Sequence, residues 1–284
     1  VRSRWTWLFG LCAAATLAST PALAWGEFGH KVSALIAYHR LTPRTKAAVD
    51  RLLLQGRDGL TDPDFVSVST WADRERFTDR ASGGWHIADL PVRGTAAPAG
   101  CAPGPKRDAA CLVEKLNEFA QQLSGPSPDP RSLKFLINLV ADVHEPLHVA
   151  DNGDHGGNCV QLVNPKDEAD SNLHTYWDTT IVRQLGSSPE EIAARIEHGM
   201  APGQADSWVR AVQAGGPAAS FSAMADETLA VARRDVYGTL PPMRGCAKVV
   251  LPASYATNAK AVTEQQLAKS GVRLAAILNR LFDR

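Results

Sequence analysis

The chain carries no net charge: its 284 residues include 30 lysines and arginines against 30 acids. That removes the broad basic footprint by which a protein holds a nucleic-acid backbone through bulk electrostatics, so phosphate recognition would have to come from a local site. Cysteine is scarce, five in all, and no two have the spacing of a zinc finger or ribbon. No apolar run is long enough for a comfortable membrane span. There is no internal repeat, which sets aside solenoids and propellers.

What is present begins with a leader pattern. Arg2 and Arg4, an apolar stretch and the small-residue ending Pro21-Ala22-Leu23-Ala24 read as a secretory signal peptide over residues 1–24. Cleavage between Ala24 and Trp25 would leave residues 25–284 as the mature protein, secreted or periplasmic. The leader takes two bases and no acid with it, leaving 28 bases against 30 acids and a net charge of about −2. The remaining length suits one domain with one core. Cys101, Cys111, Cys159 and Cys246 stay behind, and an even number in an oxidising compartment predicts disulfides. Three pairings are possible, and spacing does not choose among them.

Hydrophobic periodicity predicts an all-α, mainly helical single domain with long loops. Helices are expected over Lys31–His39, from Thr42-Pro43 to about Leu54, over Phe65–Phe77, and over 109–123, where Leu112, Leu116, Phe119 and Leu123 share a side. A central helix is expected over 131–149, bent or ended by Pro146 because proline lacks a backbone donor. Asn172–Leu185, the run opened by Ser188-Pro-Glu-Glu191, Trp208–Val212, 218–237 and Val262–Phe282 complete the helices. Leu90–Lys106 reads as a long Pro- and Gly-rich loop, and Cys159–Val163 as one strand of a small β-hairpin.

The chemistry-bearing residues sit on these helices. Asp142, His144 and His148 lie in the apolar run 135–148, and His174 and Asp178 stand at i,i+4 on one helical face. Trp71-Ala-Asp73 and Trp85-His86-Ile-Ala-Asp89 add acids and an imidazole upstream. A buried charge without a partner is costly, and imidazole nitrogen with carboxylate oxygen is the ligand set zinc takes at open catalytic sites. On an ideal helix Asn138 and Asp142 share a face while His148 lies about 120° from Asp142, so it joins the same pocket only if the proline re-aims it. His39 and His198 lie near helix ends and His155 in a polar loop, where imidazole is ordinarily a cap or solvated.

In order, Trp-x4-His, Trp-Ala-Asp-x2-Arg, His-x2-Asp, Asp-x5-His and Asn-Leu-His-x3-Asp resemble the motifs of the zinc-dependent single-strand-specific nucleases of fungi, plants and bacteria. That family shares a superfamily with bacterial zinc phospholipase C, and the resemblance covers the whole mature chain. It implies a mainly helical domain of the phospholipase C/nuclease type with three zinc ions at the bottom of a cleft. Carried over by motif, Asp73, His86 and Asp142 would hold one zinc, with Asn138 at a further ligand position; His148, His174 and Asp178 would hold a second. Trp25, through its amine and carbonyl, would hold a third with His30 and a bridging Asp142. The substrates implied are single-stranded RNA and DNA and 3′-nucleotides, handled by a monomer. A hydroxide between two close zinc ions would attack phosphorus and leave 5′-phosphate ends, with Asp73 and Asp142 at the reacting centre. Arg76 would neutralise charge on the transition state; its alternative is a salt bridge within Asp73-Arg74-Glu75-Arg76. Asp89 would bind a nucleobase edge, and Ile87, Asn158 and Asn172 match positions along the cleft, although either asparagine could simply cap a turn or helix.

Two positions depart from the family. Asn138 stands where a histidine is usual, and an amide oxygen is a weaker zinc ligand than imidazole; His144 is the nearest replacement, although it lies on a different spoke of an undisturbed helix. Ile87 replaces an aromatic that stacks on the base, a contact worth roughly 1–3 kcal/mol. The competing readings are a phospholipase C acting on phosphocholine esters, against which Asp178 argues because those relatives carry glutamate there, and a zinc-binding protein whose first site Asn138 has disabled.

Overall fold

Why the central segment is a helix is set at its start. Asp129 accepts hydrogen bonds from the backbone of Arg131 and Ser132, and Pro130 occupies the first helical position, where its missing N–H costs nothing. In the computed structural model, which describes residues 25–94, 101, 111–163, 172–213 and 216–283, this helix is the inner one. The leader expected over 1–24 and most of the Leu90–Lys106 loop lie outside those residues.

Before it come α1 (Gly26–His39), α2 (Pro43–Gln55), α3 (Trp71–Glu75), β1 (Leu90–Pro91) and α4 (Leu112–Ser124). The central helix is α5 (Pro130–Asp142), buried at every position from Ser132 to Asp142. Helices α1, α2, α3 and α4 pack around it. Trp71 and Trp85 meet Phe135 at ring distances of 5.2 and 5.1 Å, and Phe119 stacks on Phe135 at 4.8 Å. Each fully buried large apolar side chain contributes about 1.5–3 kcal/mol. The aromatic cluster therefore anchors the segments that carry Asp73 and His86.

The expected helix over 131–149 is two helices. The chain leaves α5 after Asp142, turns through Val143–Glu145, and restarts as α6 (Pro146–Val149) with Pro146 in its first turn. Glu145 caps the new start by accepting from Leu147 N at 2.5 Å and His148 N at 2.6 Å. Proline disfavours a helical conformation in the residue before it and cannot donate back, so the break falls here.

Among the described residues, four short strands tie the loops. β1 runs parallel to β2 (Ala150–Asp151), and β3 (Gln161–Leu162) runs parallel to β4 (Lys248–Val249). Besides β4, which lies far along the chain, β3 has one antiparallel bridge, to Asn172; the segment between the two, where an expected hairpin at Cys159–Val163 would turn, lies outside the described residues. The pairing is held by the Cys159–Cys246 disulfide; the other is Cys101–Cys111. The helix expected over 65–77 is a 3-10 turn at Ser67–Thr70 followed by the short α3. Asn172–Leu185 starts as α7 (Leu173–Thr175), widens to a π-helical turn over Tyr176–Thr180 and ends as α8 (Ile181–Arg183). After α9 (Pro189–Gly199), α10 (Gln204–Gln213) and α11 (Gly216–Val231), the chain closes with α12 (Tyr255–Phe282), which begins earlier than periodicity indicated because Tyr255 and Ala259 are also buried. At about 42 Å long, α12 spans the domain and packs on α1.

Replacing Asp129 with alanine removes the cap of the innermost helix. The expected loss is about 1 kcal/mol, read as a lower denaturant midpoint at an unchanged slope.

Candidate metal centre

Each of the sequence-identified ligands is brought to the inner end of α5, and each is buried. From α5, Asp142 places Oδ2 2.8 Å from His86 Nδ1 and Oδ1 3.4 Å from His30 Nε2. From α1, His30 also lies 3.4 Å from Asp73 Oδ2. From α6, His148 directs Nε2 to Asp178 Oδ1 at 3.6 Å, while His174 Nε2 is 3.0 Å from Asp178 Oδ2. His148, His174 and Asp178 offer ligand atoms that all lie within 4.8 Å of one another.

The rings are held from behind. His148 Nδ1 bonds the His86 carbonyl at 2.8 Å, and His174 Nδ1 bonds the Gly156 carbonyl at 2.7 Å. As Nδ1–H donors to these oxygens, both present Nε2 inward, the arrangement that orients metal-binding imidazoles. Gly156 needs to be glycine: its φ is +59°, and a Cβ would lie 2.5 Å from the Leu147 carbonyl. At the other end, Trp25 donates its backbone N–H to Asp178 Oδ1 at 3.0 Å. Gly26, at φ +46°, permits that approach, since a Cβ would meet Thr179 Oγ1 at 2.9 Å. The Trp25 indole is anchored on the Ala141 carbonyl at 2.9 Å. Its own carbonyl accepts from Gly29 N at 3.0 Å and keeps a second lone pair.

Burial works against charge on the His148 ring, yet the Asp178 carboxylate outweighs it and pushes the ring up to about 10. His174 is raised by the same opposition. Burial alone would raise Asp178, but the His174 and His148 rings together hold its carboxyl well below the ordinary carboxylate range. The carboxylate and the two rings thus each favour the charged form of the other.

A metal fits these residues. Asp73 Oδ1, His86 Nε2, Asn138 Oδ1, Asp142 Oδ1, His148 Nε2 and Asp178 Oδ2 are all buried without a hydrogen bond of good geometry. Buried polar atoms are ordinarily paired, and this set has the nitrogen and oxygen chemistry of a zinc ligand shell. Asn138 donates Nδ2 to Ser69 O at 2.8 Å and to Asp73 Oδ2 at 3.0 Å. Both partners are acceptors, which fixes the amide's orientation and leaves Oδ1 as the atom available to a cation.

His144 does not compensate for Asn138. Its Nδ1–H donates to the Val140 carbonyl at 2.8 Å and its Nε2 receives Arg273 Nη1 at 3.0 Å, on the side of α5 facing α12. Burial, with the Arg273 charge beside it, lowers this ring to about 3 and keeps it neutral. A residue that sequence reasoning missed is Glu145, fully buried beside the second cluster. Burial and the Asp178 carboxylate push it up to about 7. Its only sequence signal was an acid immediately before a proline, which is the signature of a cap.

Of the remaining positions, Asn172 caps α7 through Thr175 N at 2.8 Å, and exposed Asn158 bonds the His155 carbonyl at 2.8 Å, so both do the local work of asparagine. Arg76 closes α3 and lies over the Phe77 ring at 5.6 Å; Glu75 of the same quartet pairs with Arg131. Ile87 is half-buried, and Asp89, at φ +53°, turns the chain into β1. Trp71 and Trp177 are fixed by Asp58 and Tyr255, consistent with orienting their neighbours Asp73 and Asp178. His39 pairs with Glu197 at the surface. Cys101, Cys111 and Glu114 also lie close together, but the two sulfurs are bonded to each other, and a disulfide is not the thiolate that zinc takes.

A family model described as S1/P1 nuclease matches residues 25–283. Nuclease S1 of Aspergillus oryzae is 27% identical over 94% of this chain and 95% of its own length. Endonuclease 4 of Arabidopsis thaliana is 26% identical over 92% of this chain and 90% of its own. Endonuclease 5 of the same plant is 28% identical, covering 92% and 91%. Among the described residues, no helix is long and apolar enough to cross a membrane.

Replacing Asp178 with asparagine is expected to lower the zinc content of the purified protein by at least one ion per chain, read by elemental analysis. Because zinc must displace the proton that the Asp178 carboxylate favours on His148, binding should release protons and apparent affinity should rise with pH. The slope approaches tenfold per pH unit for each proton displaced, measurable by titration calorimetry in buffers of different ionisation enthalpy.

Proposed function

This chain belongs to the S1/P1 nuclease family, and from that premise we propose that it is an exported phosphodiesterase, an endonuclease and 3′-nucleotidase of single-stranded RNA and DNA that leaves 5′-phosphate ends. It is a zinc-dependent hydrolase acting on nucleic acids; the substrate form, product ends and ion count are the proposed part. The observation that carries the reading is the set of buried carboxylate and imidazole atoms around Asp142 and Asp178 that lack a hydrogen bond of good geometry.

Three ions are assigned. Asp73, His86 and Asp142, with Asn138 Oδ1, would hold one; His148, His174 and Asp178 a second; Trp25, His30 and Asp142 a third. Removal of residues 1–24 would turn the Trp25 backbone nitrogen, already aimed into the site, into a free amine. With a reference pKa near 8, that amine is readily deprotonated beside a cation. Zinc bound here supplies a water acidic enough to attack at neutral pH and an electrophile for the phosphate oxygens. The chain's own residues do the rest. Burial of the cluster at the foot of α5 keeps out bulk water, the backs of His148 and His174 are locked to carbonyls, and Arg76 at the end of α3 would meet negative charge developing on the phosphoryl group. Asp89 would accept from a base edge, with Ile87, Asn158 and Asn172 along the same path.

Asn138 leaves the first site a neutral oxygen in place of an imidazole, and its amide ties down one oxygen of Asp73. That site is proposed to be the weakest of the three. Exchange of Asn138 for histidine should raise zinc affinity there by tenfold or more, read by competition with a chelating dye.

Correctly processed protein should cut a single-stranded oligonucleotide to 5′-phosphate products, and a chelator should abolish the cleavage. Folded, zinc-loaded protein that leaves the oligonucleotide intact sinks the proposal; release of phosphocholine from a lipid would then replace it.

A further inference from the structure

Beside the metal centre lies a groove that none of the assigned residues except Asp89 occupies. Its volume is about 550 Å³, and its walls include Asp89, Arg93, Asn152, Arg244 and Gly245. That is within the size range of small-molecule sites. Its position follows from the fold. His86 runs into β1 and His148 into β2, and the two strands lie side by side, so the groove opens three residues beyond each of two proposed ligands. At ~3.3 Å per residue the distance along the strands is roughly 10 Å.

The two walls are tied together. Gly245 N donates to the Asn152 carbonyl at 3.2 Å, and Asn152 Nδ2 donates to the Met243 carbonyl at 3.1 Å. The Cys159–Cys246 disulfide joins the ends of the same two loops. Arg93 crosses from one wall to the other, donating Nη2 to Met243 O at 3.2 Å. Behind it, Arg233 donates to the carbonyls of Pro91 and Val92, holding the backbone that leads to Arg93. Asp151, also at the groove, has its carboxylate turned to the backbone N–H groups of Asp154 and Gly156 at 2.9 and 3.2 Å. Arg93 and Arg244 are both exposed at the groove, and Arg244 has no partner among the described residues.

We infer that Arg93 and Arg244 form a phosphate clamp for the strand as it leaves the metal centre, so that this enzyme prefers polynucleotides to mononucleotides. The inference rests on the nucleic-acid reading above and specifies how that site treats chain length. Two guanidinium forks facing one groove match phosphate oxygens. They repel a choline head group, which needs an aromatic cage, and no aromatic residue lines this groove among the described residues. The same lack means that the two arginines hold the strand by its backbone and without stacking, and that any base discrimination in this groove falls to Asp89. In a chain with no net charge, a local pair of arginines is how such attraction arises.

The test uses the processed, zinc-loaded enzyme and its Arg93→Ala/Arg244→Ala variant, with a 3′-mononucleotide and a long oligothymidylate as substrates. The KM ratio of oligothymidylate to mononucleotide should rise about tenfold in the variant, the scale of one charge-assisted hydrogen bond. The dependence of oligothymidylate KM on salt should flatten by about 0.7 in log–log slope for each phosphate that the variant leaves unneutralised. The Arg93→Lys/Arg244→Lys variant should recover the salt slope and only part of the affinity, which separates the clamp from a folding defect. An unchanged KM ratio and salt slope in a variant that still hydrolyses both substrates overturns the clamp alone. Wild-type enzyme that hydrolyses neither substrate overturns the nuclease reading and the clamp with it.

Discussion

Between Asp142 and His148 the backbone has to stop being one helix, and the metal centre depends on that interruption. On a continuous helix the two side chains would diverge by about 120°. The turn at Val143–Glu145, with Pro146 opening a new helix and Glu145 capping it, rotates His148 toward Asp178 while Asp142 stays with His30 and His86. The break lies wholly inside the protein. Every backbone group freed by it needs a partner, which is why a buried glutamate sits there despite the cost of burying its charge.

Burial and ionisation are coupled throughout the site. Acids and imidazoles are packed into the interior at nearly full burial, with His148 and His174 bound from behind to carbonyls and several inward-facing nitrogen and oxygen atoms left without a well-formed hydrogen bond. Such an arrangement is poor as a hydrophobic core and good as a cation shell. The Asp178 carboxylate raises His148 and His174 against the effect of burial, and the two rings in turn hold Asp178 below the ordinary carboxylate range. The aromatic cluster of Trp71, Trp85, Phe119 and Phe135 supplies the apolar stabilisation around it, and two of those residues lie beside Asp73 and His86 in the sequence.

The same α5 presents two unlike polar faces. One meets the metal centre through Asn138 and Asp142. Beyond its end, His144 is turned the other way, neutral, between Val140 and Arg273, with Arg273 in turn bonded to Glu227. That second network links the turn to α12, so the long C-terminal helix braces the segment from which His148 departs.

Residue types and short spacings were sufficient for much of this. Asp129-Pro130 and Thr42-Pro43 announced their helices, and His174 and Asp178 announced a shared face, because capping and i,i+4 geometry act over one turn of backbone. The ordered set of motifs carried the family. Tertiary structure alone decided the rest. Trp25 meets Asp178 across 153 residues, His30 meets Asp73 and Asp142 at once, and Cys159 pairs with Cys246 rather than with another cysteine. It also paired β3 in parallel with the distant β4, turned His144 toward Arg273 and brought Arg93 and Arg244 to one groove. These outcomes depend on how helices pack and loops cross, and local periodicity carries no record of which distant segment will fill the space beside a given face.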